Sequence, residues 1–332
     1  MSAAGAEGLE ALLVWPDEPG RHPLALISHG SPRSAAERPQ MTALAMLPQA
    51  KELARRGWAA AVVMRRGYGS SPGGWAEDFG RCSNAHYQEA SAPAVADLKA
   101  AVAYLATLPE VDASRIIALG VSAGGFATVA LTADPPPGLV AAVSFAGGRG
   151  SLSSDANCSP DALVSAFRSF GSRSRVPMLW VYAENDHFFG PGIAHRFVEA
   201  FKEGGGQVTF IAPPPFGSDG HKLFSSAGIP IWTPLVDEFL RSRGLVLRST
   251  QLALPSPPGI DLPAELSADG RGAFASYLTS PPHKAFAVSP TGAYGWRSGR
   301  RTAEDARSEA LALCGSHGKG CQVIIVDDAK AD

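Results

Sequence analysis

The stretch that most constrains this chain is Ile116-Ile117-Ala118-Leu119-Gly120-Val121-Ser122-Ala123-Gly124-Gly125. An unbroken run of apolar β-formers ends in Gly-x-Ser-x-Gly and passes into the helix-compatible Phe126 to Leu131. The pattern predicts a buried strand, a sharp turn and a helix. The turn forces the serine backbone into a sparsely populated conformation. Glycines flank it because a Cβ there would strike the adjacent strand or helix. The Ser122 hydroxyl then stands exposed at the start of a helix whose positive end favours developing negative charge. That is the setting of a nucleophile, and it predicts an α/β chain with a mostly parallel central sheet and helices on both faces.

The segments upstream supply what such a serine needs. Residues 11 to 15 read as an edge strand, and Pro23 to Ser28 as a continuous apolar strand that stops at His29-Gly30. Attack on an acyl carbon creates an oxyanion, which two convergent N–H donors stabilise. The backbone N–H groups of Ala123 and Ser31 are the candidates. The strand Ala59 to Met64 gives way to Arg65-Arg66-Gly67-Tyr68-Gly69-Ser70-Ser71-Pro72-Gly73-Gly74, a glycine-rich loop at a strand's carboxyl end, where ligands of α/β sheets gather. It is neither a dinucleotide fingerprint nor a P-loop, because the glycine spacing is wrong and no Gly-Lys-Ser/Thr follows. Arg66 offers a planar fork for a substrate carboxylate, with a structural bridge between loops as the alternative, and Tyr68 beside it is the other substrate-binding candidate.

Residues 75 to 90 read as loop, followed by an amphipathic helix marked by Val95, Leu98, Val102 and Leu105. A strand from Leu139 to Ala146 leads into a polar stretch, 147 to 160, that carries Cys158. The strand Val176 to Ala183 ends in Glu184-Asn185-Asp186-His187. Asp186 is the expected orienting carboxylate, Glu184 its nearest competitor, and His187 is too close in sequence to serve as the base. His221 lies between the last strand, Val208 to Ile211, and the last helix, around Trp232 to Leu240. It is the expected general base.

The order Ser122, Asp186, His221 differs from that of the chymotrypsin and subtilisin types. Together with Ser28-His29-Gly30-Ser31-Pro32, Arg65-Arg66-Gly67-Tyr68-Gly69, Asn185-Asp186 and Gly220-His221, it resembles the dienelactone hydrolase-like and prolyl oligopeptidase-like branch of the α/β-hydrolase superfamily, over residues from about 20 to 243. The resemblance implies an α/β-hydrolase fold and a Ser-His-Asp triad that cleaves a carboxylic ester, a lactone or a peptide bond without metal or organic cofactor. Dienelactone hydrolases proper use a cysteine nucleophile. Serine in its place favours a general carboxylesterase acting on a small ester. No β-propeller precedes the hydrolase region, so a two-domain oligopeptidase is not expected. Acyl transfer, and a catalytically silent scaffold that binds a partner, are the remaining alternatives.

The 332 residues carry a formal net charge of −2, which points away from nucleic acid and from anionic membranes. No apolar run is long enough to span a bilayer, and the first ten residues lack signal-peptide character. Four cysteines can pair as Cys82 with Cys158 and Cys314 with Cys321, which suits the periplasm or the cell exterior.

The expected division is a catalytic domain over 1–243, a proline-rich linker over 244–268 and a small α+β domain over 269–332. In the last, strands at 285–288 and 294–296 precede a helix capped by Thr302 and a strand at 322–326. A metal site on Cys314, His317 and Cys321 is the rival to their disulfide, with no obvious fourth ligand. Tyr294, Trp296, Arg297, Arg300 and Arg301 form a candidate face for a polymer or protein, unless the aromatics are core and the arginines merely solvated.

Overall fold

A computed structural model describes residues 8–256, 258–264 and 266–331. They group into two compact units. One takes the chain up to Pro39 together with Gln49–Leu252, and the other takes Gln40–Pro48 with the chain from Ala253 onward. The first unit thus runs past the expected boundary at 243, and a short segment far upstream falls with the second.

The first unit is built on a seven-stranded sheet of β1 (Ala11–Val14), β2 (His22–Ser28), β3 (Ala59–Val63), β6 (Val111–Val121), β7 (Leu139–Phe145), β10 (Met178–Val181) and β11 (Val208–Ile211). Their order is β1-β3-β2-β6-β7-β10-β11, with β1 antiparallel at the edge and the others parallel. Two hairpins, β4 (Gly80–Arg81) with β5 (Asn84–Ala85) and β8 (Ser151–Ser153) with β9 (Ala156–Asn157), stand outside the sheet. The helices are α1 (Leu47–Ala54), α2 (Tyr87–Leu105), α3 (Ala123–Ala133), α4 (Pro160–Arg173), α5 (Pro191–Glu203) and α6 (Ile229–Ser242).

Because β2, β3 and the second half of β6 are buried on both faces, their sequences are continuous apolar runs rather than alternating ones. One face meets α2 to α5, where Phe126 sits edge-on to Phe167 and Phe170. The other meets α6, where Phe145 stacks on Phe224 and both meet Trp232. The chain runs outward from β2 to β3 and then crosses back to β6, so strand order reverses between β2 and β6. Crevices of α/β sheets open at such a reversal.

Two expectations are corrected. The region 75–90 is not all loop, since it contains the β4–β5 hairpin and the first turn of α2. The stretch 147–160 likewise folds back as the β8–β9 hairpin. Strands of two or three residues have too little periodicity to be read from sequence.

The second unit carries α7 (Ala268–Leu278), β12 (Ala285–Val288), β13 (Tyr294–Arg297), α8 (Ala303–Gly315), β14 (Gln322–Val326) and β15 (Ala329–Lys330). Its strands form one sheet in the order β13-β12-β14-β15. Thr302 and Asp305 close a reciprocal capping box on α8. No helical period marks α7 in the sequence, because its two glycines and mixed composition hide it.

Candidate active site

Ser122 stands between β6 and α3 with φ 56° and ψ −124°, a region that glycine alone adopts freely. The surroundings explain why the backbone stays there. A Cβ on Gly120 would lie 2.2 Å from the Gly124 carbonyl oxygen, and one on Gly124 would lie 2.1 Å from that of Ser28. Close approach of strand, helix and β2 therefore depends on both glycines. The Ser122 N–H donates to the Phe145 carbonyl at 3.0 Å, locking the turn to β7. Gly30 packs against Ser122 from the β2 side, since a Cβ there would sit 3.2 Å from the serine Cβ. Neither the Ser31 nor the Ala123 N–H donates to any protein group among the described residues. Both residues line, with Ser122, a cavity of about 210 Å³.

On the other side, Asp186 is 2% exposed and accepts from the backbone N–H groups of Phe188 and Phe189 at 2.7 and 2.8 Å. Its two carboxylate oxygens each lie 3.1 Å from His221 Nδ1. Glu184 is exposed, outside this arrangement. The ring of Phe188 lies 3.9 Å from that of His221 and within 10° of parallel to it. The Arg33 guanidinium sits 3.7 Å from the centre of the same phenyl ring. The His221 backbone N–H is held by Asp219, 3.0 Å away. His187 points elsewhere, toward Asp155.

Beneath the Ser31 side of the cavity lies a buried charged network. Glu77 accepts from Arg65, from Arg149 and from the Tyr68 hydroxyl, the last at 3.0 Å. Arg65 reaches on to the Ser28 hydroxyl and the His29 carbonyl, both at 2.8 Å. The Tyr68 and Ser31 hydroxyl oxygens are 3.0 Å apart, and the Trp75 indole N–H donates to Tyr68 at 3.0 Å. Burial pushes the Glu77 carboxyl up, but the guanidiniums of Arg149 and Arg65 outweigh it and hold the group well below the usual carboxylate range. His29 is lowered to about 3, first by burial and then by the charge of Arg65, so it is neutral. Its Nδ1 lies 2.6 Å from the Gly30 carbonyl, and its Nε2 accepts from the Arg65 backbone N–H at 3.1 Å. The bonding fixes the tautomer with the proton on Nδ1, and the ring braces the turn that carries Ser31.

The residues proposed from sequence do not all meet. Ser122, Ser31 and Ala123 share the cavity, and Asp186 and His221 pair on the loops beside Phe188 and Phe189, which line it. Arg66 does not line it: both its guanidinium and its backbone N–H are bound by Asp97. The arginines that do face the cavity are Arg33, Arg38 and Arg149. Tyr68 is fully buried behind the wall, where it touches Ser31 rather than the open cavity. Glu77, Arg149, Phe188 and Arg33 were not anticipated. Only Arg149 carried a signal, in the Gly147-Gly148-Arg149-Gly150 run directly after a strand.

Both disulfides are formed, Cys82 to Cys158 and Cys314 to Cys321. The second takes both sulfurs away from any metal. The first joins the β4–β5 hairpin, next to Asp78 and Phe79, to the hairpin that follows Arg149 and carries Ser151 and Leu152. All these residues belong to the cavity wall. The Tyr87 hydroxyl donates to the Cys158 carbonyl, and burial pushes that phenol up to about 12. No helix among the described residues is long and apolar enough to cross a membrane.

Comparison with curated proteins finds no match. Solved structures give the fold. A candidate dipeptidyl aminopeptidase IV from Bacteroides ovatus superposes with a TM-score of 0.54 at 16% identity, over 73% of this chain and 34% of that one. Porphyromonas gingivalis dipeptidyl peptidase 4 gives 0.51 at 19%, over 70% and 33%. An acylaminoacyl peptidase from Pyrococcus horikoshii gives 0.50 at 18%, over 73% and 40%. This chain thus spans two fifths or less of the length of these peptidases. The family model described as the dienelactone hydrolase family matches residues 46–212, half of the sequence, and takes in β3 through β11 with Ser122 and Asp186. The chain is a hydrolase of the α/β fold and belongs to the dienelactone hydrolase family.

Proposed function

We propose that the protein is a serine carboxylesterase. Ser122 attacks the acyl carbon of a small ester while His221 takes the hydroxyl proton and passes it to the leaving alcohol. Asp186 holds the imidazole with its proton on Nδ1 and offsets the charge that forms. The N–H groups of Ser31 and Ala123 receive the oxyanion, each contributing on the order of a hundredfold or more in rate. Water activated by the same histidine then releases the acid.

The observation that carries this reading is the pairing of His221 with a carboxylate that is 2% exposed and already fixed by two backbone N–H groups. A carboxylate so placed can do little except orient and charge-balance that ring. Among the described residues the Ser122 hydroxyl makes no hydrogen bond, and its bond to His221 forms as substrate enters, as nucleophile–base bonds commonly do. The two disulfides fit a periplasmic or secreted protein.

The test is a panel of p-nitrophenyl acetate and butyrate, a γ-lactone and an aminoacyl p-nitroanilide. The short esters are expected to turn over, with activity lost in Ser122→Ala. Turnover of the anilide alone would replace the esterase by a peptidase, and inactivity on every substrate would leave a binding scaffold.

A further inference from the structure

The second unit has its own recess, a cleft of about 670 Å³ that runs beside β13. It is larger than the cavity at Ser122, and the hydrolase chemistry makes no use of it. Tyr294, Trp296, Arg297 and Arg300 line it with Leu313 and His317 from the end of α8 and just beyond, and among the described residues no carboxylate lines it.

β13 is the outermost strand of its sheet and, among the described residues, pairs only with β12. Which of its main-chain groups face the cleft follows from the antiparallel ladder. The Ala293 carbonyl accepts from Ser289 N–H at 2.8 Å, so residue 293 faces the partner strand. Alternation then turns Gly295 and Arg297 toward β12, and Tyr294 and Trp296 outward. In keeping with this, the Trp296 carbonyl takes a bond from the Arg297 guanidinium at 3.0 Å. An outward row of N–H and C=O groups is a template for another strand about 4.8 Å away. Edges of this kind are commonly blunted by a proline, a bulge or a lysine. The pairing of β12 with β13 has no register shift, and Tyr294-Gly295-Trp296-Arg297 contains neither proline nor lysine.

Charge selects the occupant. Arg297 and Arg300 both turn to one carboxylate, Glu309, at 3.4 and 2.7 Å. Among the described residues two cations share one anion, which leaves the cleft net positive. We propose that the outer edge of β13 takes up an extended, acidic peptide segment as a fifth strand, with its main chain paired to Tyr294 and Trp296 and a carboxylate meeting Arg297 and Arg300, which draws the Arg297 guanidinium off the Trp296 carbonyl. Main-chain pairing gives the affinity, and the arginines favour acidic over basic segments. A second copy of this chain fits less well, since it would bring an equally basic edge.

The test uses the full-length oxidised protein and fluorescein-labelled eight-residue peptides, with glutamates at two alternate positions and mixed β-formers elsewhere. A parallel set carries lysine in place of glutamate. Anisotropy is expected to show the glutamate set binding at least tenfold more tightly, and a charge-preserving Arg297→Lys/Arg300→Lys variant retaining more of it than Arg297→Gln/Arg300→Gln. N-methylation of the tightest peptide is the decisive arm. Blocking every second amide, those facing β13, is expected to abolish binding, and blocking the others to leave it within about twofold. Equal binding of the two sets, no binding by either, or a uniform response to N-methylation would overturn the proposal. So would a dimer by light scattering that the peptides fail to dissociate. Circular dichroism on each variant separates loss of binding from loss of fold.

Discussion

The two sides of the Ser122 cavity are held by different forces. On the Ser31 side, Glu77, Arg65 and Arg149 put one negative and two positive charges into the interior, each 5% exposed or less. On the His221 side, Asp186 is fixed by backbone N–H groups, and the imidazole is stacked on Phe188. A buried charged network is costly to assemble and costlier to break, because each survivor is left uncompensated. A backbone-anchored pair can lose its chemistry and keep its shape. The first side should therefore fail through stability, and the second through catalysis.

The largest expected effect sharpens that contrast from the catalytic side. Asp186→Asn keeps the volume and loses the charge and tautomer control, and kcat on a short ester is expected to fall about 10⁴-fold. The urea midpoint should move little. Glu77→Ala, on the other side, leaves two guanidiniums buried against each other and is expected to cost about 3–5 kcal/mol in urea denaturation. If Asp186→Asn unfolds the protein while Glu77→Ala is silent, the comparison is reversed.

Acid is the next probe. His29 is near 3 in the folded protein against 6.5 as a free side chain, so between those values the unfolded chain binds a proton that the native state refuses. Stability is then full above about pH 6.5 and falls as pH drops, with a limiting slope of about 1.4 kcal/mol per pH unit. Glu77 adds to the loss only at lower pH. Its folded value is depressed, so the unfolded carboxylate takes up protons first, beginning as pH approaches 4.5. Urea midpoints from pH 7 to 4 should decline in the wild type and decline less in His29→Gln, which has no imidazole to titrate. Identical slopes would remove the burial argument for His29.

Much of this could be read in the sequence because it is local. The elbow at Ser122 is a ten-residue pattern, and Asp186 and His221 follow strand ends whose apolar runs are legible. Glu77 and Phe188 gave no such sign. Their partners are Arg65 and Arg149 in one case and His221 and Arg33 in the other, and no periodicity links residues that meet only through tertiary packing. The partner of Arg66 is hidden for the same reason. Of two adjacent arginines at a strand end, one turns to Glu77 and the other to Asp97, and neither reaches the cavity. The second unit was legible where a capping box or a cysteine pair punctuates it, and silent at α7.

Smaller effects test the walls. Phe188→Ala removes the stack on His221 and is expected to lower kcat about tenfold, with burst kinetics showing slower acylation. Cys82→Ser/Cys158→Ser frees the two hairpins, one next to Phe79 and one carrying Leu152, and is expected to raise KM a few-fold with kcat nearly unchanged. An unchanged KM would mean the hairpins hold their places without the bond.

The most direct test of the central claim is labelling of the native protein with a fluorophosphonate, followed by peptide mapping. The account predicts a single modification on Ser122, absent in Ser122→Ala and in His221→Ala. A wild type that stays unlabelled, or is labelled elsewhere, would contradict the assignment of Ser122 as a nucleophile activated by His221.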